Sequence, residues 1–439
     1  MRKAHRPRHL LPTTASRAAL GLALVLTALA ALGTGCGTSC PEIVAHREAF
    51  SRSLSEPDRT ERGPDLLLTV PWPEVDRLLE EHALKAAREV ELAPEVLGSA
   101  LSLSARIVGL RAHPPAPGAG TDQIGLTLEV ALERKQTRVL VLELATAITP
   151  EWIAATSANR APWIRLALLP GALGEVRPRT TPEGRAMLSR WLERELPPAM
   201  KALGGRDVVD ALADELLGWA SAEVWPLMRK ALPEGEPLFS TVLALPELNR
   251  IGARALTTES TASSLTFGIT TGVRAPALGK SRRTGKRLTL AMTGPTATAL
   301  ISQAMDRGEV PGRFSSKGEP DPKGPWEARV GWIGGSRPLH LQMWRVQGGC
   351  QRVEVGARIA LAVEGEEVAV NVREGKLMTL AGPPFAEAFA WLETIFGEAL
   401  AFSFRTGALV KLDEASGYSL KLVRAQLDDE LVLELELVR

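Results

Sequence analysis

The sequence predicts an α+β protein of two similar tandem domains, each a long, curled, mainly antiparallel sheet with amphipathic helices packed on its apolar face. Three observations predict this. A short aliphatic strand turns directly into a helix at residues 66–84, LLLTVPWPEVDRLLEEHAL, and the same event recurs at residues 288–305, LTLAMTGPTATALISQAM. Each event is followed, in the same order, by long strands of alternating polarity, a helical block and closing strands. Apolar residues make up 45% of the chain but aromatics only 5%, so the interior must be filled by Leu, Val, Ala and Ile.

At 439 residues the chain exceeds one ordinary domain. Its start carries Arg2, Lys3, Arg6, Arg8 and Arg17 and no acid, ahead of an apolar run over residues 18–32. That layout is a secretory signal, and the run is shorter than the roughly 20 residues of a spanning helix. We assign 1–35 to the signal and 36–64 to a tether, because SEPDRTERGP has breakers, charge and no periodicity. Ordered structure is expected from Asp65. Removing the five basic residues of the leader turns the formal charge from +1 to −4, which argues against a nucleic-acid partner.

The first domain covers 65–273. In its first helix Val75, Leu78, Leu79, His82 and Ala86 share one face. Strands follow at 101–110, at 124–132 with strict alternation, and at 139–148. Thr181 is the expected N-cap and Pro182 the first-turn residue of the next helix, with Met187, Leu188, Trp191 and Leu192 inward. Pro197 and Pro198 end or kink it, and Gly204-Gly205 precedes a second helix to about residue 232. Leu265, Phe267 and Ile269 close the domain.

Residues 274–287, RAPALGKSRRTGKR, read as a solvated basic linker. They do not make a phosphate loop, because the spacing from Gly279 to Gly285 is one residue too long and Arg287 follows Lys286. The second domain covers 288–439. Its clearest strand bears Val353, Val355, Ala357, Ile359, Leu361 and Val363, a helix after Pro383-Pro384 carries Phe385 and Phe389, and strands at 418–427 and 431–437 finish it.

No nucleophile elbow, zinc-binding His-Glu-x-x-His helix or Cys-x-x-Cys pair is present, so the chain reads as a non-enzyme with no metal and no cofactor. His82 lies on an apolar stripe, His340 on the wet side of a strand, His46 in the tether and His113 at a loop. Asp428 and Asp429 read as hairpin-turn acids. Trp191, Trp219 and Trp391 read as core, whereas Trp72 stands where it would dip into a membrane surface. Cys40 and Cys350 are left once Cys36 is set aside, and they either pair or remain two free thiols.

Residues 32–36, Leu-Gly-Thr-Gly-Cys, resemble the lipobox of bacterial lipoproteins, with Gly33 where that pattern has an aliphatic residue. The resemblance implies acylation at Cys36, and Gly37 after it implies the outer membrane of the bacterial envelope. An ordinary cleaved signal with an unmodified Cys36 is the alternative. The order of elements, twice over, resembles the tubular lipid-binding superfamily, which includes the bactericidal/permeability-increasing protein. That resemblance covers nearly all of 65–439 and implies an acyl lipid or phospholipid as ligand. The expected walls of an aliphatic tunnel are Val75, Leu78 and Leu79, with Leu300 and Ile301 as counterparts. A scaffold of the same fold with a filled interior is the alternative function, and no protein partner can be read.

Overall fold

In chain order the first elements are α1 (Cys40–Ser55), β1 (Leu66–Pro71), α2 (Trp72–Ala86), β2 (Val90–Leu92), β3 (Glu95–Val96), β4 (Ser99–Ala100), β5 (Leu103–His113), β6 (Ile124–Arg134) and β7 (Thr137–Ile148). Next come β8 (Glu151–Ile153), β9 (Trp163–Leu168), β10 (Arg179–Thr180), α3 (Pro182–Glu195), α4 (Pro198–Ala231), β11 (Phe239–Ala244), β12 (Ala255–Ser260) and β13 (Ser264–Thr270). The rest is β14 (Leu288–Thr293), α5 (Gly294–Arg307), β15 (Arg313–Phe314), β16 (Trp326–Trp332), β17 (Leu339–Arg345), β18 (Gln351–Glu364), β19 (Glu367–Ala381), β20 (Phe402–Gly407), β21 (Leu409–Lys411), β22 (Ser419–Leu427) and β23 (Glu430–Val438). This computed structural model describes residues 39–55, 63–86, 89–92, 95–96, 99–100, 102–154, 162–169, 179–196, 198–231, 237, 239–244, 251–278, 287–308, 310–316, 320–345, 349–364, 367–382, 402–407, 409–411, 419–427 and 430–438. The expected helix after Pro383-Pro384 lies outside them.

The fold is α+β with large antiparallel sheets. Two compact units are present: unit 1 is Met1–Ser55, Ile301–Ile359 and Val372–Phe402, and unit 2 is Glu56–Leu300, Ala360–Asn371 and Ser403–Arg439. These limits differ from the division of the sequence at 274–287. The reason is that strands from both sequence halves assemble one sheet of unit 2, in the order β12-β13-β1-β14-β23-β22-β21.

At the centre of that sheet the two strands that lead into helices stand side by side, with their strand-to-helix turns at opposite ends of the pair. Strand β1 pairs antiparallel with β14, placing Leu66 opposite Met292, Leu67 opposite Ala291, Leu68 opposite Leu290 and Thr69 opposite Thr289. Both strands have the same alternation of buried and half-buried positions. Laying Leu66 over Leu288 on that basis lays Leu68 over Leu290, and these two face each other. Such self-complementary pairing is what a local two-fold axis produces. Outside the pair, β13 flanks β1 and β23 flanks β14, each antiparallel.

A buried polar junction locks this seam. Asp65, 3% exposed, accepts the backbone N–H of Thr271 at 2.7 Å and the hydroxyls of Thr271 and Thr296 at 2.5 Å each. Its carbonyl accepts the N–H of Thr293 at 3.1 Å. Thr293 in turn caps α5, its hydroxyl accepting from Thr296 N at 3.3 Å. One carboxylate thus satisfies donors from the end of the first sequence half and the start of the second.

The second sheet of unit 2, β10-β7-β6-β5-β2, has one aliphatic face. Leu126, Leu128 and Val130 of β6 are buried beside Leu140, Leu142 and Leu144 of β7 and Ala105, Ile107, Leu110 and Ala112 of β5. The register shifts between Ile107 and Gly109, and this bulge explains why inward residues change from odd to even numbers there. The opposite face carries ion pairs, Arg111–Glu129 at 2.6 Å and Arg106–Glu133 at 3.4 Å. Helix α2 packs on β5 and β11, α3 on β7, and α4 on α3 and β2. Thr181 caps α3, accepting Gly184 N at 3.0 Å, and Gly205 takes a φ of 56° that separates two helical stretches within α4.

Two expectations are corrected. The tether holds a helix, α1, with only Ile43 and Phe50 as apolar markers of its inward face and His46 and Arg47 between them. The linker is not wholly solvated: Ala275 and Leu278 are buried, and Leu278 packs with Leu67, Ala291 and Val432. Its remaining residues, 279–286, lie outside those described.

Replacing Asp65 by Ala takes the acceptor from the buried backbone N–H and hydroxyl of Thr271, at about 1–3 kcal/mol each, while the Thr296 hydroxyl keeps that of Thr293 at 2.8 Å. Urea unfolding of Asp65→Ala should show a marked drop in midpoint, with Asp65→Asn, which keeps one carbonyl oxygen, falling between it and the parent.

Candidate functional site

The residues expected to wall a tunnel sit on two helices. On α2, Val75 and Leu79 are buried and Leu78 is half-buried, where the helix crosses β5 and β11. Asp76 fixes the helix by accepting Ala112 N at 2.7 Å, and Arg77 donates to the Leu437 carbonyl at 3.1 Å. On α5, Leu300 packs on the cluster of Leu66, Ile269, Met292 and Ala297 in unit 2. Ile301 is half-buried and falls in unit 1. Leu300 is therefore in contact with the central seam, whereas Val75, Leu78 and Leu79 belong to the neighbouring sheet.

Trp72 is corrected. It is buried, its indole N–H donates to the Thr261 carbonyl at 2.9 Å, and it does not reach outward to a membrane. Trp191 is buried as expected, under the guanidinium of Arg134 at 5.9 Å, and Trp219 is half-buried. His113 Nδ1 donates to Pro114 O at 2.7 Å and its Nε2 is hydrogen-bonded to Thr127 Oγ1 at 3.1 Å, a structural role at the loop. Cys36, Trp391, Asp428 and Asp429, and the side chain of His82, lie outside the described residues.

Unit 1 holds a cluster that the sequence did not reveal as such. Its strands β15, β16 and β17 and the start of β18 are consecutive in one sheet, and one face there is apolar, with Phe314, Trp326, Ala328, Met343, Val353 and Val355 in contact. The register of β16, β17 and β18 puts Glu327, Arg329, Gln342, His340, Arg352 and Glu354 on the other face. Helix α1 lies over that polar face. A disulfide joins Cys40 at its start to Cys350, with Cα atoms 5.2 Å apart. Farther along, His46 Nε2 lies 3.8 Å from Glu354, Arg47 lies 3.7 Å from Glu327, and the Phe50 ring centroid is 5.5 Å from that of Trp344. Phe50 fits there because β16 has Gly331, where a Cβ would come within 2.9 Å of its ring.

His340, read as wet, is thus covered by α1, and His46 is part of a docked helix. Glu354 is 6% exposed. It sits 3.6 Å from His340 and is hydrogen-bonded by Arg352. Two imidazoles and a carboxylate resemble a metal ligand set, but the Arg352 guanidinium already occupies the carboxylate and repels a cation. Among the described residues no group of three His, Cys, Asp or Glu side chains is placed to hold a metal. A surface depression of about 480 Å³ beside α1 is lined by Arg47, Glu48, Ser51, Arg52 and Glu327. Its charges are of both signs and partly paired, which suits neither an acyl chain nor an acid–base pair.

Burial lowers the pKa of both His46 and His340 below the ordinary 6.5, and the nearby Arg352 lowers them further. A proton on either ring would join Arg352, Arg47 and Arg329 against Glu354 and Glu327. With a lowered pKa, the docked state binds fewer protons than the undocked one just below pH 6.5, so docking is fully present above that pH and weakens as pH falls through it.

No family model matches this chain, and no curated protein does. Among solved structures it is similar to P47 of Clostridium botulinum A2, with a TM-score of 0.35 and 9% identity over 85% of this chain and 97% of that one. It is likewise similar to P47 of Clostridium botulinum E1, with a TM-score of 0.36 and 7% identity over 86% of this chain and 100% of that one. Similarity at that level carries no argument here. Among the described residues no helix is long and apolar enough to cross a membrane.

Hydrogen exchange checks the docking of α1: after correction for intrinsic rates, amides of residues 43–50 should lose protection between pH 7.5 and 5. The His46→Gln, His340→Gln double variant should lose much less.

Proposed function

We propose that this chain is an exported lipoprotein that binds or carries an acyl lipid, anchored to the bacterial outer membrane through acyl chains on Cys36. The observation that carries the reading is the β1–β14 seam. Two strands from separate parts of the sequence pair with self-complementary register, and each leads into a helix with an aliphatic stripe. Such duplication is the basis of the likeness to the tubular lipid-binding superfamily.

The half-buried aliphatics Leu78 and Leu300 of unit 2 support the same reading, since they are surface an acyl chain would dry. Each methylene removed from water contributes about 0.8 kcal/mol, so ten carbons supply about 8 kcal/mol before the costs of association. No ionic contact is needed, in keeping with a non-enzyme that uses no cofactor. Several acyl chains on Cys36 give lasting attachment where one alone binds marginally. A scaffold in envelope assembly is the second reading, favoured by the nearly complete burial of the aliphatic faces of β6 and β7.

Cys36→Ser should move the protein from the membrane to the soluble fraction; retention there would assign the anchor to the apolar run 18–32. Organic extraction of that soluble variant, followed by mass spectrometry, should recover stoichiometric acyl lipid. Leu78→Asp combined with Leu300→Asp should reduce it several-fold, while absence of lipid from the parent would favour the scaffold.

A further inference from the structure

We propose that the disulfide and α1 turn the lipid anchor into a short leash, which holds unit 1 with the Cys350 end of its sheet toward the bilayer. This rests on acylation at Cys36, as proposed above, and adds an orientation that acylation alone does not provide.

A free tether from residue 36 to 64 would reach on the order of 100 Å when extended, and a domain on such a tether has no fixed face. The disulfide changes that reach. Cys40 is bonded to Cys350, so only four residues of chain length, at most about 14 Å, separate Cys36 from the disulfide. That is roughly twice the headgroup layer of one leaflet, about 5–8 Å, and far less than the unclipped tether.

The direction follows from register. Trp326 pairs with Arg345, and Arg345 with Gln351, so these residues share the Cys350 end of the sheet. Trp332 pairs with Leu339, and Leu339 with Ala357, at the opposite end, about 20 Å away along the strands. Helix α1 spans the same interval: Cys40 is at one end, His46 reaches Glu354 midway, and Phe50 meets Gly331 near the other. Three successive attachments therefore prevent α1 from swinging about the disulfide. The exposed Ile333 and Met378 lie toward the far end, Met378 beside Gly356, and are held away from the bilayer.

The test uses the full, exported protein carrying a single added cysteine at an exposed site. Lys323→Cys lies in the loop before Trp326, and Ser336→Cys in the turn between β16 and β17. Each is labelled with a fluorescent maleimide and reconstituted in phosphatidylethanolamine/phosphatidylglycerol vesicles containing a headgroup-spin-labelled lipid. Quenching should be several-fold stronger at 323 than at 336. A flexible insert of about 20 residues between Gly37 and Ser39, adding roughly 25 Å of root-mean-square reach, should abolish the difference. Equal quenching in the parent, the reverse order, or a difference that survives the insert would overturn the leash. The mass of the N-terminal peptide reports acylation separately: an unacylated Cys36 would sink both readings, whereas an acylated chain with equal quenching sinks the orientation alone.

Discussion

Everything in unit 2 depends on one antiparallel pairing, β1 against β14, held in register by the Asp65 carboxylate. A slip of one residue would turn every side chain of either strand to the other face. It would move Leu66 and Met292 out of the cluster that Ile269 and Ala297 complete. Asp65 opposes such a slip because its three donors come from fixed positions, Thr271 just after β13 and Thr296 in the first turn of α5. A buried carboxylate with its donors in place is tolerated, and one displaced from them is costly.

The two units solve the problem of covering a sheet differently. In unit 2 the helices lie on aliphatic faces, and water exclusion holds them there. In unit 1 the apolar face has its own cluster, and α1 covers a charged face through a disulfide, an aromatic contact, the approach of His46 to Glu354 and the Arg47–Glu327 ion pair. Arg47 and Glu327 are partly exposed, so that pair contributes little. The covalent bond and the Phe50–Trp344 contact do more to keep α1 in place.

Much of the architecture was legible because period-2 and period-3.6 patterns are strong where one face is dry. The strands bearing Leu126, Leu128 and Val130, and Val353, Val355 and Ala357, fall where alternation puts them, and Thr181 and Gly205 punctuate the helices as their chemistry requires. Helix α1 was not legible because it buries His46 and Arg47 on a polar surface, so hydrophobic periodicity has almost nothing to register. Nor could any local pattern show that Glu354 would meet a helix more than 300 residues earlier in the chain. Trp72 was misread for a related reason: its partner, the Thr261 carbonyl, belongs to a remote turn. The unit limits differ from the sequence halves because β1 and β14 are neighbours in space while a long stretch of sequence separates them.

The bond between Cys40 and Cys350 has a sequence separation of 310. Cys350 is synthesised only after the intervening residues 41–349, so Cys40 waits for its partner. Cys36, the only other cysteine in the sequence, stands just upstream and offers Cys350 its single wrong choice. Consuming the Cys36 thiol before oxidation begins would leave that bond with one possible outcome, so the order of maturation steps, more than the final geometry, decides whether α1 is fastened correctly.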